Sequence, residues 1–142
     1  MSRVFSIIFF GIIFAIFPLT LFYGGIFVNY FSFYGIKEYF NGFFMQNLNL
    51  IFYIILAIFS GIAFNVNTNI LRYMYLILLF VLSSTFIPSV GKNVGDRIFL
   101  KNTRIILNGE QQNVKLIYKD KSKIYYSVVG SKEVIRMELK GK

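Results

Sequence analysis

The side chains able to carry out acid–base or nucleophilic chemistry are few in this sequence, and their types restrict that chemistry. None of the 142 residues is Cys or His, so it offers no thiol nucleophile, thiolate metal site or imidazole base. Asp96, Asp120, Glu133 and Glu138 are scattered, mostly beside Lys or Arg, which favours solvated charges over paired catalytic carboxylates. Phosphate-binding glycine loops and Gly-x-Ser-x-Gly motifs are missing too. We therefore expect a non-enzyme without a cofactor or a metal site.

Basic residues are the more numerous charged group, and they are concentrated in the last third of the chain. Twelve of the fifteen Lys and Arg residues follow residue 91, so the first 91 residues carry a net charge of +2 and the last 51 carry +7. Beside a bilayer, each basic residue contributes about 1 kcal/mol of attraction to anionic lipid. We predict surface and lipid contact for Lys115, Lys119, Lys121 and Lys123, with a bilayer bearing anionic headgroups as the partner.

Three tyrosines interleave with these lysines and form a second group of candidates. Aromatic side chains dominate interface hot spots, so Tyr118, Tyr125 and Tyr126 are predicted to anchor a protein partner. Such interleaving is also found on platforms that stack nucleic-acid bases. Lysine at turns and alternate strand positions also blocks edge-to-edge aggregation. Beside a bilayer, attraction to anionic lipid explains these lysines more simply, so nucleic acid is the disfavoured partner.

Three long runs without a formal charge predict the elements that must hold these residues in place. Residues 4–36 and 39–71 each provide 33 uncharged positions, and Tyr73–Gly91 provides 19. A helix rises about 1.5 Å per residue, so each run suffices for one crossing of a hydrocarbon core of roughly 30 Å. We predict a transmembrane helical domain at 1–91. Its three helices would lie at about 4–28, 48–66 and 70–90, the first an uncleaved anchor.

Two connections join these predicted helices. Residues 29–47 are aromatic and weakly polar, which fits either a short helix lying in the membrane interface or an ordered loop. The Asn-rich segment 65–69 is a natural tight turn that would make the second and third helices an antiparallel hairpin. Small residues such as Ala57, Ser60 and Gly61 are predicted to let the two helices of the hairpin approach closely.

The last 51 residues change from helical to strand-like alternation. The dipeptide Asn108-Gly109 between two such runs is typical of a type I′ hairpin turn. The predicted strands are Arg97–Leu100, Thr103–Leu107, Val114–Lys119, Ile124–Val129 and Val134–Leu139. This count fits a small basic all-β domain at 92–142, either an OB- or SH3-like barrel or a rolled sheet. A core this small is marginal alone, so it should pack on the helices, a second copy or another protein.

Charge placement predicts the orientation, because positive residues near membrane ends favour the cytoplasm. With three crossings, the Lys37 loop and the β-domain share one side, while Arg3 and Arg72 share the other. We predict a multi-pass protein of the bacterial inner (cytoplasmic) membrane with a cytoplasmic C-terminal domain. The expected function is that of an interaction, assembly or regulatory subunit of a membrane complex, bound to a protein partner or to a second copy.

Two other functions stay open at this point. One is a small homo-oligomeric channel, with Ser83, Ser84 and Thr85 lining its pore; the other is an immunity or exclusion protein acting on another membrane protein. The segment Val94-Gly-Asp-Arg-Ile98 is similar to the junction of small mechanosensitive channels, where a pore helix meets an Sm-like β-domain, although the helix here is Leu/Phe-rich. The layout resembles that of short NfeD-type membrane proteins, and the multi-helix character resembles small colicin immunity proteins.

Overall fold

A computed structural model describes residues 3–107, 110–131 and 133–139. The helices are α1 (Arg3–Ile26), α2 (Ser32–Tyr34), α3 (Phe40–Asn47), α4 (Leu50–Asn65), α5 (Asn69–Ser83) and α6 (Pro88–Phe99). The strands are β1 (Lys101–Leu107), β2 (Glu110–Lys119), β3 (Lys123–Val128) and β4 (Ile135–Glu138). Long apolar helices are followed by a small sheet, which confirms the predicted order of the two parts. The helices outnumber the three that the sequence predicts.

Two helices are long and apolar enough to cross a membrane. The first runs from Arg3 to Tyr34, because α1 continues through a π-helical turn (Phe27–Phe31) into α2. The second is Asn69–Phe86, which comprises α5 and a 3-10 turn. A third candidate is the pair α3 and α4, which meet at 89°. The described residues therefore contain two or three candidate spans. The helix α3 is a short helix within residues 29–47, which is one of the two predictions for this segment.

Close backbone contact joins α4 to α1, which run antiparallel. A Cβ atom on Gly61 would lie 2.2 Å from the carbonyl oxygen of Ile7, and one on Gly11 would lie 2.3 Å from that of Ala57. Neither contact tolerates a side chain on the glycine without a shift of the backbone. The prediction that Ala57 and Gly61 approach the third helix is therefore wrong, since they approach the first.

A proline separates α5 from α6 and breaks the predicted helix at 70–90. Ile87 precedes Pro88 and is extended, with φ −70° and ψ 124°. The proline ring disfavours helical backbone at the residue before it, and it suits the first position of the next helix. The chain therefore turns at Ile87 before it enters α6.

The helix α6 lies against the end of the first candidate span, and glycine allows the contact. A Cβ atom on Gly95 would lie 2.4 Å from the ring of Tyr30. Residues Arg97–Phe99 form the last turn of this helix, so the predicted strand Arg97–Leu100 is wrong. Tertiary packing of α6 on Tyr30 overrides the β-propensity of Ile98 and Phe99.

The four strands form one open sheet. Their order is β1-β2-β3-β4, and each neighbouring pair is antiparallel. Four of the five predicted strands are confirmed, but the sheet does not close into a barrel. The predicted turn at Asn108-Gly109 lies outside the described residues.

The sheet presents one face to the helices. Register places Asn102, Lys115 and Ser127 side by side on this inner face, with Tyr118 and Tyr125 further along it. The two tyrosines belong to the same hydrophobic cluster as the helical core. The opposite face carries a smaller hydrophobic cluster of its own.

Candidate functional site at the helix–sheet junction

Tyr118 is the aromatic centre of the junction between helices and sheet. Its ring centroid lies 4.9 Å from that of Phe31, 6.0 Å from that of Phe43 and 5.9 Å from that of Phe99. These three rings come from the π-helical turn, α3 and α6, and Tyr118 is 3% exposed. Tyr118 thus attaches the sheet to three separate helical segments, and the burial of its apolar ring stabilises the contact.

Two backbone irregularities meet beside this ring. In β2 the register shifts between Leu116 and Tyr118, which leaves Ile117 without a partner in either ladder. Tyr30, in the π-helical turn, donates a hydrogen bond from its hydroxyl to the carbonyl oxygen of Ile117 at 2.7 Å. A bulge residue has a free carbonyl, and a π-helical turn redirects the side chains around it. The bulge and the π-helical turn together bring the buried Tyr30 hydroxyl to the buried carbonyl oxygen of Ile117.

Glu38 is the acidic centre of the junction. Its Oε1 accepts hydrogen bonds from Lys123 Nζ at 2.8 Å and from the Tyr125 hydroxyl at 2.5 Å. Burial alone would raise the pKa of Glu38, but the hydrogen bonds and charge of Lys123, with the Tyr125 bond, lower that pKa. Burial, followed by the bond to Glu38, raises the pKa of Tyr125 to about 12. At neutral pH Glu38 is therefore a carboxylate and Tyr125 a neutral phenol.

Asp96 forms a second polar contact, between the end of α2 and α6. The Tyr34 hydroxyl donates to its Oδ1 at 2.8 Å, and Lys92 Nζ pairs with its Oδ2. The same ammonium lies 4.7 Å from the centre of the Phe33 ring, within cation–π range. Lys92 is thus held between an acidic and an aromatic neighbour.

A cleft of about 810 Å³ lies between the inner face of the sheet and the end of the first candidate span. Its lining is Ser32, Phe33, Tyr34, Gly35, Lys92, Lys115, Ile117, Ser127, Ser131 and Val134. We call this space the junction cleft. It continues along the inner face into a second cavity of about 660 Å³ that shares Lys115 and Ser127. On the helical side it meets a cavity of about 490 Å³ that shares Phe33 and Lys92.

The lining of the junction cleft carries positive charge. In the described ranges 3–107, 110–131 and 133–139, no group of three or more Asp or Glu residues could hold a metal ion. The charged side chains that line the junction cleft are lysines, Lys92 and Lys115. Such a cleft attracts anions.

The four lysines predicted to contact lipid have three different surroundings. Lys119 and Lys121 are exposed at the turn between β2 and β3, where Gln46 of α3 donates a hydrogen bond to the carbonyl oxygen of Lys119 at 2.9 Å. Lys123 is paired with Glu38 inside the junction, whereas Lys115 lines the junction cleft. Lys115, Lys119 and Lys121 are thus exposed, and the last two lie at the turn beside α3.

The three tyrosines predicted as partner anchors are all buried in this chain. Tyr118 and Tyr125 lie in the junction, and Tyr126 belongs to the cluster on the opposite face of the sheet. Their residual exposures are 3%, 5% and 4%. Their rings therefore stabilise the sheet and its attachment to the helices.

The three hydroxyl residues predicted to line a pore lie at the end of α5. Ser83 Oγ and Ser84 Oγ, the latter in the 3-10 turn that follows α5, each donate to an α5 carbonyl three residues earlier, at 2.8 Å and 2.7 Å. Thr85 is buried, donates to the carbonyl of Leu82 at 2.9 Å, and packs against α1 at Gly25. The three hydroxyls thus donate to helix carbonyls, and Thr85 also packs in a helix–helix contact.

Sequence reasoning missed Glu38 and Phe43 as members of the site. Glu38 did carry a signal, because it is the one acid among the first 91 residues and an acid next to a membrane is costly without a partner. Phe43 carried no such signal, because it is one of eighteen phenylalanines and its sequence neighbours do not distinguish it from the others. Its central position depends on contacts far apart in sequence.

The fold and the junction define a class: a helical chain with two or three candidate membrane spans and a small basic sheet fixed where those helices end. No known protein family, curated protein or solved structure matches this chain. The junction is therefore the feature from which a function is inferred.

Proposed function

We propose that the chain is a non-catalytic integral membrane protein that holds its basic sheet at the membrane surface. There it acts as an interaction, assembly or regulatory subunit of a membrane complex. The observation that supports this most directly is the fixed attachment of the sheet, through Tyr118 packing and the Glu38–Lys123 pair. A sheet held in one orientation meets a partner with less loss of entropy than a tethered one.

The lysine turn next to α3 supports a position beside lipid headgroups. Because α3 meets α4 at 89°, α3 lies along the membrane surface when α4 crosses it. The neighbouring Lys119 and Lys121 then face the headgroup region, where each contributes about 1 kcal/mol of attraction to anionic lipid.

The side of the membrane follows from charge. Arg3 and Arg72 lie near the far end of the helices, while the sheet end carries most of the basic residues. By the preference of positive residues for the cytoplasm, we place the sheet on the cytoplasmic face of a bacterial inner membrane.

Contact with a protein partner, or with a second copy, is assigned to the free edge of β1. This strand is the first in the sheet order and has one neighbour, β2, among the described strands. Ile106 on it is 69% exposed, an apolar side chain on a strand whose outer backbone groups are open to pairing. An added strand is a common mode of recognition at such an edge.

Site-specific photo-crosslinking in native membranes tests this proposal. A photoreactive residue at Ile106 should give one discrete protein adduct, whose mass identifies either a different protein or a second copy. The matched control is Ile51 on α4, which is 71% exposed on a candidate span and should label lipid. If Ile106 gives no protein adduct while the sheet is folded, the proposed role fails.

A further inference from the structure

The junction cleft lies at the level where two candidate spans end. Its lining includes Phe33 and Tyr34, the last residues of the span Arg3–Tyr34. The adjoining cavity is lined by Pro88 and Ser89, which follow closely after the end of the span Asn69–Phe86. In a membrane this level is the headgroup region.

The polar half of the cleft favours a single anion. Lys115 is exposed and has no ion-pair partner within the described residues, and the hydroxyls of Ser127 and Ser131 line the same space. Lys92 already pairs with Asp96, but an ammonium carries three donors and the pair uses one. Phosphate oxygens match such donors.

The other half of the cleft favours an apolar group. Phe33 lines both the junction cleft and the cavity beside Pro88, and 63% of it is exposed to solvent. A large apolar side chain exposed at a span end is covered when a lipid chain lies on it. The junction cleft itself, at about 810 Å³, falls in the range that holds small ligands.

We infer that the junction cleft binds one anionic phospholipid-type amphiphile, with its phosphate between Lys92 and Lys115 and its glycerol and chain along Phe33. The inference rests on the membrane location proposed above. It goes further by distinguishing one bound molecule from general attraction to the surface.

Native mass spectrometry of the full-length protein in detergent tests the site with defined probes. Phosphatidylglycerol should be retained at one molecule per chain, and more tightly than phosphatidylcholine. Lys115→Gln should weaken phosphatidylglycerol binding about fivefold, the effect of one lysine near a phosphate. Lys101→Gln removes the same charge at an exposed strand position outside the cleft and should leave binding unchanged.

Further variants test the polar and apolar halves of the cleft separately. They also distinguish the phosphate of a lipid from inorganic phosphate. Phe33→Ala should also weaken phosphatidylglycerol binding, whereas Lys92→Arg should retain it. Equal binding of inorganic phosphate and phosphatidylglycerol, unaffected by Phe33→Ala, would overturn the assignment to a lipid. Equal losses for Lys115→Gln and Lys101→Gln would overturn binding in the cleft, because they indicate diffuse attraction to charge. Either result leaves the crosslinking outcome at Ile106 unaffected, so the two proposals fail independently.

Discussion

Glu38 connects the loop after the first candidate span to β3, and this connection depends on its charge. Because the pKa of Glu38 is lowered in the folded chain, the stability it contributes is present above its usual value of 4.5. That contribution is lost as the pH falls through the lowered pKa. Glu38→Gln should reduce the free energy of unfolding at pH 7 by about 1.5–3 kcal/mol, the scale of hydrogen bonds to a charged group. Thermal unfolding in detergent at pH 7 and at pH 3 measures both effects, and the variant should lose part of the pH dependence.

A second acid provides the control for this residue. Glu138 pairs with Arg136, but its side chain is 74% exposed. Exposed pairs contribute little because water and salt screen them, so Glu138→Gln should change the unfolding transition far less. Equal effects of the two variants would show that Glu38 acts as an ordinary surface charge.

At the scale of elements, the contact between α1 and α4 depends on the absence of side chains. Gly61→Ala places a methyl group against the carbonyl of Ile7, so the helices must separate, at a cost of about 1–3 kcal/mol. Gly42→Ala, within α3, meets no atom within 4 Å. Both changes raise helix propensity by a similar amount, so the difference between them isolates packing. Unfolding midpoints of the two variants measure this difference, and an equally stable Gly61→Ala protein would contradict the contact.

The elements also show which features local sequence can predict. Alternating residues predicted four strands, and uncharged runs predicted the apolar helices, because both patterns depend on neighbours along the chain. The strand predicted at Arg97–Leu100 failed because contact between Gly95 and Tyr30, 65 positions apart, decided the conformation. The junction was unpredictable for the same reason. Lys123 is a surface lysine by its sequence, and becomes an internal partner when Glu38, 85 residues earlier, lies beside it.

At the scale of the whole molecule, the helical part has two ends, and they carry different elements. The close contacts of Gly61 with Ile7 make α4 antiparallel to α1, so the turn after α4 lies at the end where α1 begins. The sheet and α3 lie at the opposite end, joined by the bond from Gln46 to Lys119. If the helices cross a bilayer, residues 65–69 and the sheet must face opposite compartments.

The absence of native cysteine makes this arrangement directly measurable. Single cysteines at Asn41, Asn67 and Lys121, all exposed, can be labelled with a membrane-impermeant maleimide in sealed vesicles of either orientation. Asn41→Cys and Lys121→Cys should react from one side, and Asn67→Cys from the other. Labelling of Asn41→Cys and Asn67→Cys from the same side would mean that α4 does not cross. The proposed position of Lys119 and Lys121 at the headgroups would then fail, because it depends on an α4 that crosses the membrane and so sets α3 along the surface.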